Sequence, residues 1–395
     1  QPGTHVARGR YQDINAGLGL QLSINGARPV QNNFRLDGVS LTYSSGSTPG
    51  SVAGLNLGVD SVREFSVLSG AFGAQYGRAA GGVVNAVTRS GGNTLHGAAS
   101  LFHRNDNFDA RNFFDAAKPP EFRRHQFGGS LGGPIARNQA FFFANAEGLR
   151  QARGNTTINT TLSDSARQGL LSSQTVLVHP AIARLLDLYP KANGAVFGDT
   201  GLFVFANPED IRQNFLTTRI DDNPGDLDRL FFRYTFDDSR LLNQTDFALN
   251  SNQSSSRSQS LALEHTHLFS PTLLSTLRFG FARNLAVRGM TRALRPALDS
   301  PELSFLPYSP SAGVVLVPGL TDFPGGSGSL DSDVNAFNSF QFSGDVTAIR
   351  GRHSLRFGAR FERTRFNADS TNRASGEFRF SSLPDLLANR PSRFR

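Results

Sequence analysis

The sequence predicts an all-β protein, in which long antiparallel strands form part of a transmembrane β-barrel and a small α+β unit precedes them. Three observations carry this prediction. Several segments alternate apolar and polar residues with period 2. The segments between them are alternately long and short. No apolar run approaches the roughly 20 residues of a membrane-spanning helix.

The alternation is clearest in the segment 228–237. One of its faces carries Leu230, Phe232 and Phe236, whereas the other carries Arg229 and Arg233. One face therefore needs apolar surroundings and the other needs water. By the same criterion, we predict nine strands, near 94–104, 123–133, 139–150, 211–221, 227–239, 258–269, 273–283, 336–349 and 353–366.

The connecting segments distinguish a barrel from a soluble sandwich, which shows the same alternation. Successive connections of an antiparallel meander fall at opposite ends, so strict alternation places every short turn at one end and every long loop at the other. Outer-membrane barrels have this asymmetry, with tight periplasmic turns and long extracellular loops. We also expect 250–258 to be a mobile loop tip and 179–188 to be a helix within a long loop.

Composition excludes several function classes. Cysteine is absent, which removes disulfides and thiolate chemistry. The net charge of +8 comes from dispersed arginines rather than a basic stripe, which argues against a nucleic-acid partner. The chain shows no nucleophile elbow, phosphate-binding glycine loop or zinc-binding helix motif, so we predict no enzymatic activity and no cofactor.

The first ninety residues carry an ordered series of short motifs: NFRLDGV at 33–39, VREFSVLSG at 62–70 and AQYGRAAGGVVNAVTRSGGN at 74–93. In this order the sequence resembles the plug of TonB-dependent outer-membrane receptors, and more narrowly the Oar-like group. The segments NDNFDARNFF from Asn105 and RRHQFGGSLGGPI from Arg123 are similar to that group too.

The resemblance implies a partial plug domain at 1–91 and the N-terminal part of an outer-membrane barrel at 92–395. This part of the barrel has about nine or ten strands, which are too few to enclose a plug. Transporters that contain a plug have about 22 strands. We therefore expect a fragment whose TonB box lies outside these residues. The structural residues implied for the plug are Asp37, Gly38, Gly70, Tyr76, Gly77, Gly81 and Gly82. For Gly70, Gly77, Gly81 and Gly82, we expect positive φ and close backbone approach.

The resemblance also implies energy-coupled uptake of a glycan, peptide or metal chelate, with outer-membrane lipid and the TonB complex as partners. The apical plug loops would lie at 28–33 and 42–54, and their ligand-facing candidates are Arg28, Gln31, Asn32 and Tyr43. Two other functions remain open: surface adhesion or protein export by an Oar-like barrel, and a soluble β-rich carbohydrate-binding protein.

Further candidates lie on the strands. Five arginines on polar faces are predicted to line the lumen, either in structural ion pairs with carboxylates or as an anion-selective surface: Arg229, Arg233, Arg278, Arg356 and Arg360. His265 and His267 share one strand face, but no third ligand is evident, so we predict no metal site. The four aspartates at positions 221, 222, 226 and 228 lack the closing Glu of a calcium loop and predict a solvated turn.

Overall fold

The computed structural model describes residues 4–7, 21–43, 50–52, 57–70, 72–73, 75–111, 113, 119–309, 311–327, 332–371 and 373–395. Its first part contains a two-stranded ribbon, β1 (Thr4–Ala7) with β2 (Gln21–Ile24), and a four-stranded sheet in the order β4-β3-β6-β5. We call the four-stranded sheet the inner sheet. Its strands are β3 (Asn33–Leu36), β4 (Val39–Ser40), β5 (Val62–Leu68) and β6 (Val83–Thr88), with short 3-10 turns at Pro29–Gln31 and Val59–Ser61.

The second part is a long antiparallel meander, which we call the wall. Its nine strands pair in chain order, and a short strand, β10 (Val196–Phe197), pairs with β11. The nine strands are β7 (His96–Asn105), β8 (Phe122–Ala136), β9 (Ala140–Leu162), β11 (Thr200–Asp222), β12 (Asp228–Gln244), β13 (Asn250–Ser270), β14 (Leu273–Ala293), β16 (Ser332–Arg350) and β17 (His353–Thr371). All nine predicted strands are confirmed.

Several strands extend further than predicted, most of them toward the end that carries the long loops, whereas β8 gains three residues at the short-turn end. The predicted loop tip at 250–258 is wrong, because these residues form the first part of β13 and pair with β12 and β14. The serines and asparagines of this segment do not alternate with apolar residues, because this part of β13 lies beyond the apolar band of the wall and needs no lipid-facing side. The connection between β12 and β13 is therefore the short segment 245–249, which also removes one of the predicted long loops.

The two faces of the wall differ in character. A row of apolar residues crosses five neighbouring strands in register, and all its members lie on the outward face: Phe232, Leu263, Phe279, Phe342 and Phe361. Phe342 and Phe361 are 50% and 63% exposed in the isolated chain, as expected of side chains that contact lipid. Within the described ranges, no helix has both the length and the apolar character needed to cross a membrane.

The long loops pack into a separate layer with its own core, which we call the outer cap. It contains helices α1 (Asp164–Arg167), α2 (Pro180–Leu186) and α3 (Leu383–Leu387), and the small sheet of β15 (Val314–Leu316), β18 (Glu377–Arg379) and β19 (Arg393–Phe394). Further 3-10 turns lie at Asp106–Phe108, Asp246–Ala248, Pro296–Asp299 and Pro301–Leu303. Helix α2 confirms the helix predicted at 179–188 and buries Ile182, Leu185 and Leu186.

The apolar row predicts that the loss of stability caused by a charged substitution depends strongly on its depth in the membrane and on its face of the wall. We expect Phe342→Arg to lower the free energy of unfolding by about 2–4 kcal/mol, because it places a charge in the middle of the lipid-facing band. Val334→Arg is the matched control, since Val334 lies on the same face of β16 near the long-loop end. Denaturant unfolding in lipid vesicles measures both variants. Equal losses for the two substitutions would contradict the assignment of the band.

Candidate functional site: the contact between the inner sheet and the wall

The site begins at a tight turn of the inner sheet. Asp37 and Gly38 join β3 to β4, and both have positive φ, of 47° and 79°. A two-residue Asp-Gly hairpin with this geometry is a type I′ turn. Gly38 has a second constraint, because a Cβ there would lie 2.5 Å from the guanidinium of Arg278 on the wall. The tip of the hairpin therefore lies directly against β14.

The carboxylate of Asp37 first holds the inner sheet together. Its two oxygens accept hydrogen bonds from the backbone N–H and the hydroxyl of Thr88, each at 2.9 Å. The backbone N–H of Asp37 donates to the carbonyl of Ala86, also at 2.9 Å. These bonds fix the hairpin to the end of β6, just before the chain continues to the wall.

The same carboxylate pairs with two arginines from neighbouring wall strands. Arg233 Nε on β12 lies 2.9 Å from Asp37 Oδ2, as an ion pair whose angles lie outside those of a hydrogen bond. Arg219 Nη1 on β11 lies 3.3 Å from Oδ1. The side chains of Asp37 and Arg233 are 2% and 0% exposed. One buried acid therefore joins the inner sheet to two strands of the wall.

Both arginines have further partners, so neither charge is left bare. Arg233 donates from Nη1 to the hydroxyl of Thr235 at 2.8 Å and from Nη2 to that of Ser260 at 3.1 Å. Arg219 pairs with Asp221 through Nη2 at 2.7 Å and lies over the ring of Phe231. Buried charges are tolerated only when they are paired and hydrogen-bonded in this way.

A second group of polar contacts joins β4 to the last two wall strands. The side-chain amide of Gln341 accepts from the backbone N–H of Ser40 at 2.9 Å and donates to its carbonyl at 2.8 Å. Arg360 donates to the oxygen of the same amide at 2.5 Å. Arg78, on the segment before β6, pairs with Glu362 at 2.5 Å.

The contact is apolar toward the long-loop end of the wall. Val52 and Leu57 of the first part pack with Leu149, Ile211 and Leu241 of the wall in one buried cluster. Closer to the short turns, Val39 packs on Gly280, where an added Cβ would lie 3.3 Å from the Cβ of the valine. The inner sheet is thus held by charges near the short turns and by apolar packing near the long loops.

The four ligand-facing candidates separate into two pairs. Asn32 is fully buried, donates to the carbonyl of Leu22 and accepts from the N–H of Gly82. Tyr43 is 5% exposed and contacts Phe337 of the wall edge to face, and burial raises its pKa to about 12. This burial corrects the expectation for Asn32 and Tyr43, whose contacts are structural.

Arg28 and Gln31 are exposed at the turn before β3. Gln31 Oε1 accepts from the N–H of Arg28 at 2.9 Å, which shapes the turn. This turn lies at the end of β3 opposite Asp37, and therefore away from the short-turn end of the wall. Most of the other predicted apical loop, 42–54, lies outside the described residues, namely 44–49 and 53–54.

Of the predicted plug glycines, Gly81 and Gly82 have the close contacts that were expected. A Cβ at Gly81 would lie 2.5 Å from Asn32 Oδ1, and one at Gly82 would lie 2.7 Å from Ile24. Gly70 and Gly77 have open space around them instead. The expected positive φ is wrong for all four, because the turns that need it are at other positions. Tyr76 lies beneath the guanidinium of Arg35, 5.5 Å from it.

The predicted lumen arginines lie on the inward face of the wall. Arg278 pairs with Glu264, Arg356 lies 3.5 Å from Asp345, and Arg229 is exposed at the start of β12. A cavity of about 760 Å³ lies between this face and the inner sheet. Five arginines and three carboxylates line it: Arg35, Arg219, Arg278, Arg356, Arg360, Asp37, Glu264 and Asp345. Burial, followed by the charges of Arg360 and Arg278, lowers the pKa of Arg35 to about 10.

Sequence reasoning missed Arg219, Ser40 and Gln341. Arg219 occupies an inward position of β11 beside the outward Ile220, which is the same kind of signal that identified the other arginines. Ser40 and Gln341 carried no such signal, because their contact joins a backbone edge to an amide 301 residues away. The predicted absence of a third ligand near His265 and His267 is also wrong, since Asp228 lies beside both.

A wall with a lipid-facing band, short turns at one end and a small sheet on its inward face defines an outer-membrane barrel protein with an internal domain. The family model described as outer membrane beta barrel domain matches residues 87–395, and the chain belongs to this family. The predicted fold class and the bacterial outer-membrane location are thereby confirmed.

Individual relatives narrow the resemblance. The TonB-dependent transporter Oar of Myxococcus xanthus is 29% identical over 143 residues, which are 34% of this chain and 12% of Oar. The outer membrane transporter YddB from Escherichia coli superposes with a TM-score of 0.58 at 14% identity, covering 96% of this chain and 47% of YddB. The siderophore receptor PirA from Acinetobacter baumannii gives 0.54 at 14% identity, covering 93% and 45%.

The predicted resemblance to TonB-dependent receptors of the Oar group is confirmed by these matches. The relatives are transporters and receptors rather than enzymes. The chain spans about half the length of the two solved structures and a smaller part of Oar.

The ion pairs of Asp37 predict that this residue contributes strongly to the free energy that holds the inner sheet on the wall. Asp37→Asn keeps the shape and one of the two acceptor oxygens for Thr88. It leaves the fully buried Arg233 without its counter-charge and Arg219 with Asp221 alone. We expect the opening of the inner sheet to become easier by about 3 kcal/mol or more, because removing one partner of a buried ion pair costs about 3–5 kcal/mol. Backbone amides of β3 and β6 should then exchange with solvent about a hundredfold faster.

Mass-spectrometric hydrogen exchange on the full-length protein measures this change. Asp60→Asn is the control, since Asp60 belongs to the same part of the chain and is exposed. Unchanged exchange in the Asp37 variant would show that the ion pairs do not hold the sheet.

Proposed function

We propose that this chain is the plug and the adjoining wall of a TonB-dependent receptor that takes up a ligand across the outer membrane. The supporting observation is the contact between the inner sheet and the wall. A separate small sheet lies on the inward face of the wall, and a limited set of polar groups around Asp37, Ser40 and Arg78 holds it there. Such a domain can rearrange without unfolding the barrel around it.

In this proposal the energy-coupling TonB complex pulls on the chain before the inner sheet, and the sheet shifts to open a path past the arginine-lined cavity. The ligand is a glycan, peptide or metal chelate that first meets the outer cap and the exposed turn at Arg28 and Gln31. The excess of arginines over carboxylates around the cavity favours a ligand with anionic groups. The division of the chain at Gly91 into plug and barrel belongs to the same proposal, as does the absence of catalysis and of a nucleic-acid partner.

A reversible cross-link between the inner sheet and the wall tests this function. Val39 and Gly280 are close enough to be linked by a disulfide, because their β-carbons would be 3.3 Å apart, slightly below the usual range of about 3.5–4.5 Å. The 395 residues contain no cysteine that would compete. We expect the Val39→Cys/Gly280→Cys protein to lose transport when oxidised and to regain it in reductant, since the inner sheet can then no longer move.

The ligand is first identified by comparing growth of a deletion strain and its parent on ferric chelates, oligosaccharides and peptides as sole nutrient sources. The matched control is Thr266→Cys/Thr276→Cys, which joins two neighbouring wall strands at a pair of hydroxyls 3.3 Å apart. Transport that continues in the oxidised Val39/Gly280 protein would contradict plug movement. A deletion strain that grows normally on every nutrient but loses adhesion or secretion would favour the adhesion or export function.

A further inference from the structure

Three side chains with metal-binding atoms converge on the outward face of the wall near its short turns. Asp228 is the first residue of β12 and lies opposite His267 of β13 in the strand register. His265 is two residues away on the same face. Its Nε2 lies 2.8 Å from Asp228 Oδ1, and Nδ1 of His267 lies 2.7 Å from the same oxygen.

The arrangement is distinctive within this chain. In the part of the chain that the structure describes, no other three histidines, cysteines or carboxylates bring their ligand atoms within 4.8 Å of one another. All three side chains are partly exposed, with 41%, 28% and 36% of the side-chain surface accessible for His265, His267 and Asp228. The group is therefore formed on a rigid sheet and is open to solvent.

The donor set favours one class of ion. Two imidazole nitrogens and one carboxylate oxygen suit borderline divalent transition metals such as Zn²⁺, Ni²⁺ and Cu²⁺, whereas Mg²⁺ and Ca²⁺ prefer oxygen alone. Three protein ligands with one open position are a common zinc arrangement.

The geometry fits such an ion after a small adjustment. Ligands about 2.1 Å from a tetrahedral zinc lie about 3.4 Å from each other. The carboxylate oxygen is somewhat closer than this to both nitrogens at present, as expected when protons occupy the place of the metal. Phe269 packs edge-on against the ring of His267, with centroids 4.4 Å apart, and restricts its orientation.

We propose that Asp228, His265 and His267 bind a divalent transition-metal ion of the zinc type on the outward face of the wall, near its periplasmic end. The ion fastens the first residue of β12, directly after the turn 223–227, to the neighbouring strand. Metal binding requires the unprotonated form of Nε2 of His265 and Nδ1 of His267, so the hydrogen bonds of these atoms to Asp228 would be replaced by bonds to the ion.

The test uses the full-length protein in detergent, stripped of metal with a chelator and titrated with Zn²⁺ by calorimetry. We expect His265→Gln, His267→Gln and Asp228→Asn each to weaken Zn²⁺ binding by about tenfold or more. His353→Gln is the matched control, because His353 starts β17 at the same end of the wall. Its Zn²⁺ affinity should equal that of the unmodified protein.

A second measurement needs no change to the site itself. One equivalent of Cu²⁺ is added to the His103→Gln protein, which removes the His103–His125 pair as a competing site. Its electron paramagnetic resonance spectrum should show coupling to two imidazole nitrogens. Zn²⁺ binding that is absent, or that is unchanged in a His265→Gln/His267→Gln protein, overturns the proposal, as does a Cu²⁺ spectrum without imidazole coupling. The three side chains then form only an ion pair.

Discussion

The rest of the structure depends on one buried carboxylate. Asp37 lies where the inner sheet meets the wall, and its neighbours Arg219 and Arg233 come from two different wall strands. None of these charges could be buried alone, because an unpaired ion loses several kcal/mol of hydration. The inner sheet and the wall must therefore be folded and docked together for either to have its observed conformation at this point.

The contact has two ends with different physical properties. Near the short turns the partners are ions and directional hydrogen bonds, which fix the position of the hairpin at Asp37 and Gly38. Near the long loops, Val52 and Leu57 pack against apolar wall residues, and the backbone N–H of Val52 donates a single hydrogen bond to the hydroxyl of Ser256 at 3.1 Å. Apolar packing tolerates sliding more easily than paired charges do. A displacement of the inner sheet is therefore limited mainly by the polar end.

The strands were predictable because the wall separates lipid from water. Each strand therefore needs one apolar and one polar face, and this requirement produces an alternation of period 2 in the sequence. The predictions failed where this cause is absent. The first residues of β13 stand above the apolar band, so their pairing left no pattern. The same reasoning explains the site. Asp37 and Gly38 were identified by the resemblance of the NFRLDGV motif to a plug, and Arg233 by its strand face. The contact between residues 37 and 233 could not be predicted, because only the tertiary fold brings them together. Asp228 was missed as a neighbour of His265 for the same reason.

In the central contact, the acid Asp37 belongs to the inner sheet, whereas the two bases, Arg219 and Arg233, belong to the wall. A movement of the inner sheet would therefore carry Asp37 away and leave both arginines behind. The wall would then present Arg219 and Arg233 to the lumen, next to Arg278, Arg356 and Arg360. Its positive potential would therefore be higher once Asp37 has moved away. If the inner sheet moves as the proposed function requires, the placement of a single carboxylate would couple this movement to the attraction of anionic groups.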